Sequence, residues 1–227
     1  MSDRILMKNA VLVGVNMNPK NMASFVEAEM FNCDLEQADF TNTNMSRSRF
    51  YSVNLKGVNM TKCVLLDAYL KNTNMVKTNL TGANFDRANM ESADLTDAVI
   101  RKASLQGVNL KDSVCISVKF DESDLTGAVL NKANLTDAIF NKSVLTRTQF
   151  KNALCVGTLF TNLSMKEADL RSTNFDKANF TDVDLTGALL TGATFKGAVF
   201  LNTRLNGQLL DDMTDEELEK IGKMVVL

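Results

Sequence analysis

The 227-residue chain contains no histidine, which removes imidazole acid–base catalysis, histidine-based triads and histidine metal ligands together. It has one proline, Pro19, and two tyrosines, Tyr51 and Tyr69. Neither sign of charge is in excess. The 25 Lys and Arg against 27 Asp and Glu give a net of −2, which argues against a nucleic-acid binder and against a strongly acidic decoy. No apolar run approaches the roughly 20 residues that a membrane helix requires. The opening Met1-Ser2-Asp3-Arg4 is not a charged segment leading into an unbroken apolar stretch, so no signal peptide and no membrane contact are expected, and the expected compartment is the cytoplasm.

What the chain does have is a period of five. From Phe25 to Leu210 every residue whose number is a multiple of five is apolar or, at Cys115 and Cys155, a cysteine, for 38 positions in succession. With 45% hydrophobic residues overall, chance would give such a run with a probability of about 10^-13. Two residues before each of these centres the side chain is small, as in Ala83, Ala88, Ala93, Ala98 and Ala103, with Leu163 and Gln208 the large exceptions. The residue between is mainly polar, as at Asn74, Asn79, Asn84 and Asp94. Nine of the eleven glycines, among them Gly57, Gly82 and Gly207, fall two residues after a centre, where the backbone must turn.

Neither a helix nor an ordinary strand has this period, so the chain must turn a corner every five residues. Four sides close a square, one coil takes 20 residues, and coils stack at the strand spacing of about 4.8 Å. The centre and the small residue fill the interior, and a wide side chain at the small position would overpack the corner. Stretches such as Ala83-Asn84-Phe85-Asp86-Arg87, Ala93-Asp94-Leu95-Thr96-Asp97, Ala133-Asn134-Leu135-Thr136-Asp137 and Ala168-Asp169-Leu170-Arg171-Ser172 resemble the pentapeptide-repeat family. The resemblance spans residues 23–212 and implies an all-β solenoid, a right-handed quadrilateral β-helix of about nine to ten coils.

The ends depart from the pattern. In residues 1–22, Ala10, Leu12, Val15 and Met17 already carry the spacing in another phase. The count slips by three on passing through Met22 to Phe25, with Pro19 inside the slip, which predicts a partial coil or cap joined by an irregular link. In residues 213–227, Thr214-Asp215-Glu216-Glu217 forms a capping box, and Leu218, Ile221, Met224 and Val225 line one helical face. A helix over about Asp215 to Met224 should lie across the last coil as a cap. The alternative, implied by the resemblance, is a homodimer contact through that helix instead of a monomer.

Catalytic and cofactor sites are not expected. The carboxylate pairs Asp94 with Asp97 and Asp211 with Asp212 lie on outward positions. Gly187, Gly192 and Gly197 follow the repeat period and match no phosphate-loop motif. All four cysteines, Cys33, Cys63, Cys115 and Cys155, sit on inward positions and read as buried reduced thiols. The chain therefore reads as a non-enzymatic protein that needs no cofactor, metal or disulfide. The Asn-x-Thr triplets at Asn59, Asn79, Asn134 and Asn179 look like glycosylation sites, yet the repeat itself puts Asn before and Thr after a centre.

Two surface groups stand out. Val114, Ile116, Leu154 and Val156 occupy outward positions of one face, and Ile139 and Leu159 those of the next. Coil spacing predicts one apolar patch around a corner, either a protein partner site or side chains lying flat on the sheet. Phe31, Arg49, Tyr51, Tyr69 and Lys71 form a basic and aromatic group flanked by Glu29 and Glu91, suited to a nucleic acid or a partner, or to packing on itself. The expected role is a rigid scaffold for an unknown protein partner, without direct nucleic-acid binding. The family resemblance also implies an alternative: a DNA mimic that binds a type II topoisomerase such as DNA gyrase and protects against quinolones. Such a mimic needs a carboxylate stripe, whereas Glu27, Arg47, Asp67 and Arg87 alternate in sign and another column carries Lys71, Lys111, Lys151 and Arg171.

Overall fold

The computed structural model describes residues 5–17, 24–205, 208–210 and 213–224. Pro19, Met22, Gly207, Asp211, Asp212 and Val225 lie outside them. The chain forms a β-solenoid of about ten turns, and its corners explain the period. Two residues after each centre the backbone is left-handed. Nine glycines and 29 other residues hold φ between 51° and 73° at this position among the described residues. That conformation costs an L-residue about 1–2 kcal/mol, which is why glycine, Asn and Asp recur there. Each corner is tied to the next coil by its own N–H. Gln37 donates to the Lys56 carbonyl at 2.9 Å, Gly57 to Val76 at 2.8 Å and Lys77 to Thr96 at 2.9 Å.

Each side between corners is short, so most sides pair through single parallel bridges, such as Asn74↔Asp94 and Lys119↔Ile139, 20 residues apart, from Asp34 onward. Longer pairing gives two sheets. One joins β1 (Leu6–Lys8), β2 (Glu29–Phe31) and β3 (Arg49–Tyr51). The other joins β4 (Ile139–Asn141), β5 (Leu159–Ser164), β6 (Asn179–Asp184), β7 (Val199–Leu201), β8 (Arg204–Leu205) and β9 (Gln208–Leu209). Between the first coil and the second the offset is 23, seen in Leu6↔Glu29, Val11↔Asp34 and Asn16↔Asp39. Met7, Leu12 and Met17 therefore take the places of centres above Met30, Leu35 and Phe40.

The interior is dry. From Met30 to Leu185 every centre is 0% exposed. Serine and threonine at the small position remain possible because a carbonyl takes their hydroxyl, with the buried Thr43 hydroxyl the exception among the described residues. Ser48 donates to Met45 O at 2.6 Å, Thr158 to Leu135 O at 2.8 Å and Thr203 to Phe180 O at 2.6 Å. Phe120, Phe140, Phe160, Phe180 and Phe200 stack along one face at centroid distances of 4.7, 5.2, 5.0 and 5.0 Å. A second column, Phe175 on Phe195 at 5.4 Å, meets the first edge to face, with Phe160–Phe175 at 5.8 Å and Phe180–Phe195 at 6.1 Å.

The C-terminal end differs from a simple continuation of the repeat through Leu210. Parallel stacking reaches Asp184↔Arg204, and the chain then reverses, so that β8 and β9 pair antiparallel as Arg204↔Leu209 and Leu205↔Gln208. Leu210 is buried at 2% exposure, and its N–H reaches back to Thr203 O at 3.2 Å. A solenoid end exposes unpaired backbone, and the reversal supplies partners for it. Helix α1 (Asp215–Met224) follows. Its capping box is closed from both sides: Thr214 N–H donates to Glu217 Oε2 at 2.8 Å, and Glu217 N–H to Thr214 Oγ1 at 3.4 Å. Leu218 is buried, and Gly192 N–H donates to the Gly222 carbonyl. A Cβ on Gly222 would lie 2.8 Å from Leu190 O and 2.9 Å from Ala193 O, so only glycine lets the helix backbone approach this closely.

Candidate interaction surface

Outward residues before a centre fold back on their own turn. Asn59 Oδ1 accepts from Thr61 N–H at 3.2 Å and from Thr61 Oγ1 at 2.6 Å, and Asn134 does the same with Thr136 at 3.1 and 2.7 Å. Asn79 with Thr81 follows suit, while Asn179 accepts only from Thr181 Oγ1, at 2.6 Å. Three of the Asn-x-Thr triplets are thus Asx turns closing a corner, and the fourth lies within β6. Asp94 behaves alike, accepting from Thr96 N–H at 2.9 Å and Oγ1 at 2.6 Å. Where the residue before a centre is apolar, this closure is missing and the side chain faces outward without a local role.

The structure separates the six apolar candidates. Val114, Asn134 and Leu154 are successive bridge partners, so the Asn134–Thr136 turn lies between Val114 with Ile116 and Leu154 with Val156. The continuous group is Ile139, which pairs with Leu159, together with Leu154 and Val156 across the corner at Gly157. Leu154 is 46% exposed and Leu159 39%, while Val114, Ile116, Ile139 and Val156 are half-buried. Val144, 41% exposed in the same coil, sits alone on its own face, opposite Leu154, and is not part of this group.

The basic and aromatic group does come together, and it satisfies itself. Phe31 and Tyr51 stack at 4.7 Å with an 11° interplanar angle, and Tyr69 tilts against Tyr51 at 5.5 Å. Lys8 Nζ stands 5.9 Å from the Phe31 ring centre. Arg49 pairs with Glu29 at 3.7 Å and Lys71 with Glu91 at 3.1 Å. The rings lie against one another, so the platform that would stack a nucleobase is occupied by its own neighbours.

Of the helix residues, Leu218 is buried within its own chain and Ile221 is half-buried, which leaves Leu218 no surface for a second copy. Met224 ends the helix. The cysteines are all free and buried. Burial pushes the Cys63 and Cys115 thiols up to about 12 and raises Cys155 well above its ordinary value, so none of these three is a thiolate nucleophile at neutral pH. A surface depression lined by Asp182, Val183, Asp184, Asn202 and Arg204 and another lined by Thr81, Arg101, Lys102, Asp121, Glu122 and Asn141 sit on the outside of corners. Among the described residues no group of three His, Cys, Asp or Glu could hold a metal ion, and no helix is long and apolar enough to cross a membrane.

Comparison with curated proteins finds no match. Among solved structures the chain is similar to HetL, a pentapeptide repeat protein involved in heterocyst differentiation regulation from the cyanobacterium Nostoc sp. strain PCC 7120. Identity is 23% over 91% of this chain and 92% of that one, with a TM-score of 0.47. It is also similar to the pentapeptide repeat protein Rfr23 from the cyanobacterium Cyanothece 51142, at 25% identity over 41% and 61% of the two chains and a TM-score of 0.38. A trypsin-treated variant of QnrB1, a plasmid-mediated fluoroquinolone resistance protein, gives 19% identity over 88% and 91%, with a TM-score of 0.35. The family of pentapeptide repeats matches in eight copies, over residues 28–67, 63–101, 103–141, 119–154, 143–182 and 178–207. With its five-residue corners, its square dry core and this match along most of its length, the chain belongs to the pentapeptide-repeat family.

Proposed function

We propose that this protein is a non-catalytic, rigid scaffold for protein–protein contact, and that the corner formed by Ile139, Leu154, Val156 and Leu159 is its contact surface. One observation carries this reading. Among the described residues, the exposed large apolar side chains fall in the first coil (Leu6, Val11, Val13, Val15), near the last (Leu189, Val199, Leu201), or in a single coil between them, where Leu154 and Leu159 stand on adjacent faces and Val144 stands on the face opposite Leu154. Solenoid ends expose apolar edges as a consequence of ending, whereas a mid-rod cluster has no such cause. Residues 23–212 act as the rod, residues 1–22 as its lead-in, and residues 213–227 as a cap that keeps the protein monomeric. The four buried free thiols suit a reducing cytoplasm.

Tagged wild type and the double variant Leu154→Asp, Leu159→Asp should both melt at the same temperature, because the two side chains are exposed, and the variant should lose the partners the wild type captures. An unchanged set of partners would remove the corner from consideration. Gyrase binding, which family resemblance suggests, is poorly served by the charge pattern. Arg47 pairs with Glu27 at 3.0 Å and Arg87 with Asp67 at 2.8 Å, so that column presents neutralised pairs instead of a carboxylate stripe. Purified gyrase should supercoil DNA equally with and without this protein, in the presence and absence of a quinolone. Inhibition or protection would put the topoisomerase reading first.

A further inference from the structure

The apolar corner is rimmed by lysines. Lys119 pairs in the ladder with Ile139, and Lys142 ends the same side. Lys132 and Lys151 flank the corner before Leu154, and Lys177 stands one coil beyond Gly157. All five are exposed. Upstream, the rod pairs most of its cations. Between Arg47 and Lys111, eight of the ten basic side chains have a carboxylate within 4 Å, as in Lys56–Glu36, Arg101–Asp121 and Lys102–Glu122. Between Lys119 and Lys151, none of the five does among the described residues. The cause is in the sequence: from Leu125 to Lys166 the single acid is Asp137. Its carboxylate lies over Gly157, 2.5 Å from where a Cβ would stand. Asp176, next to the corner, already accepts from Thr194 Oγ1 at 2.9 Å and from Lys196 N–H at 3.0 Å.

Exposed apolar side chains and cations with no carboxylate within 4 Å thus coincide in one place, although Lys151 also feels Asp169, whose carboxylate Arg171 already holds at 2.6 Å. We propose that the corner docks an acidic, apolar polypeptide segment. Its apolar side chains cover Leu154, Val156 and Leu159, and its carboxylates meet the lysine rim. This rests on the corner being the contact surface proposed above, and it names the chemistry of the partner. A nucleic acid fits less well. A phosphodiester backbone would pair with the lysines and leave the apolar corner bare, and the corner holds no aromatic ring on which a base could stack. Charge complementarity of this kind sets orientation and association rate, while the desolvated apolar centre sets residence time.

The test is a random-peptide display library panned on the full-length protein, with the Leu154→Asp, Leu159→Asp variant as counter-selection. Selected peptides should place Asp or Glu beside Leu, Ile or Phe. Their dissociation constants, read by fluorescence anisotropy, should rise at least about tenfold for Lys142→Glu with Lys151→Glu, and should also rise with added salt. Enrichment of neutral or basic peptides that still need Leu154 and Leu159 would overturn the acidic partner while leaving the corner as a contact surface. Failure to enrich any peptide over the counter-selection would overturn the corner itself. A DNA oligonucleotide that binds wild type as tightly as the peptides, and is lost in the lysine variant, would overturn the polypeptide in favour of a nucleic acid.

Discussion

At the residue scale the fold depends on the left-handed position after each centre. Gly127 isolates its cost, since φ is +67° and an added Cβ would meet nothing within 4 Å. Gly127→Ala should therefore lower stability by about 1 kcal/mol through backbone conformation alone, measurable by denaturant titration. Gly222 is a different case, because its Cβ would strike two backbone carbonyls. Gly222→Ala should lift α1 from the last coil, seen as a loss of hydrogen-exchange protection confined to residues 213–224. The five-residue period revealed the first kind of glycine from sequence. Gly222 was invisible there, because its constraint comes from Leu190 and Ala193, about 30 residues away.

Among elements, the phenylalanine columns bind neighbouring coils. Phe160 stacks between Phe140 and Phe180 and meets Phe150 and Phe175 by their edges, at 6.2 and 5.8 Å. Phe160→Ala should cost about 3–5 kcal/mol. Because coils contact only their neighbours, the loss of exchange protection should centre on residues 140–180 and spare the coils before Ile100. The stacked column was legible as every twentieth residue. The edge-to-face contacts with Phe175 and Phe195 were not, because they cross between sides of the square. For α1, Thr214→Ala removes the cap that also holds the Glu217 carboxyl below its ordinary range, and about 1 kcal/mol should be lost. Local exchange in the first helical turn would report it.

For the whole molecule, pH bounds stability from both sides. The folded thiols of Cys63 and Cys115 titrate at about 12 against an ordinary 9.0, and Cys155 shifts the same way, with burial the leading cause in each. A raised folded pKa means this stabilisation is complete below pH 9 and declines as pH climbs from there toward 12. Each thiol contributes a slope of about 1.4 kcal/mol per pH unit. The melting temperature should fall above pH 9, and a Cys63→Ala, Cys115→Ala, Cys155→Ala variant should show a shallower alkaline fall from a lower starting value. An equal slope would show that the thiols are not the cause. On the acid side, Arg87 holds the Asp67 carboxyl and Arg171 the Asp169 carboxyl below their ordinary 3.8. That contribution is present above about pH 4 and is lost as pH drops through the lowered values. Solvent around both pairs keeps it small.

The sequence alone determined the square solenoid, its buried centres, its turn positions and the extent of α1, because each is encoded within a five-residue or one-turn window and then repeated. Tertiary structure decided what happens between windows and at the ends. It set the reversal that brings Leu210 back to Thr203. It also placed the Asn134–Thr136 turn that divides the apolar candidates and left the lysines around Leu154 and Leu159 with no carboxylate within 4 Å among the described residues. Whether an outward side chain is engaged or free depends on residues a full coil away, and at the termini the next coil, whose pairing enforces the repeat, is missing on one side.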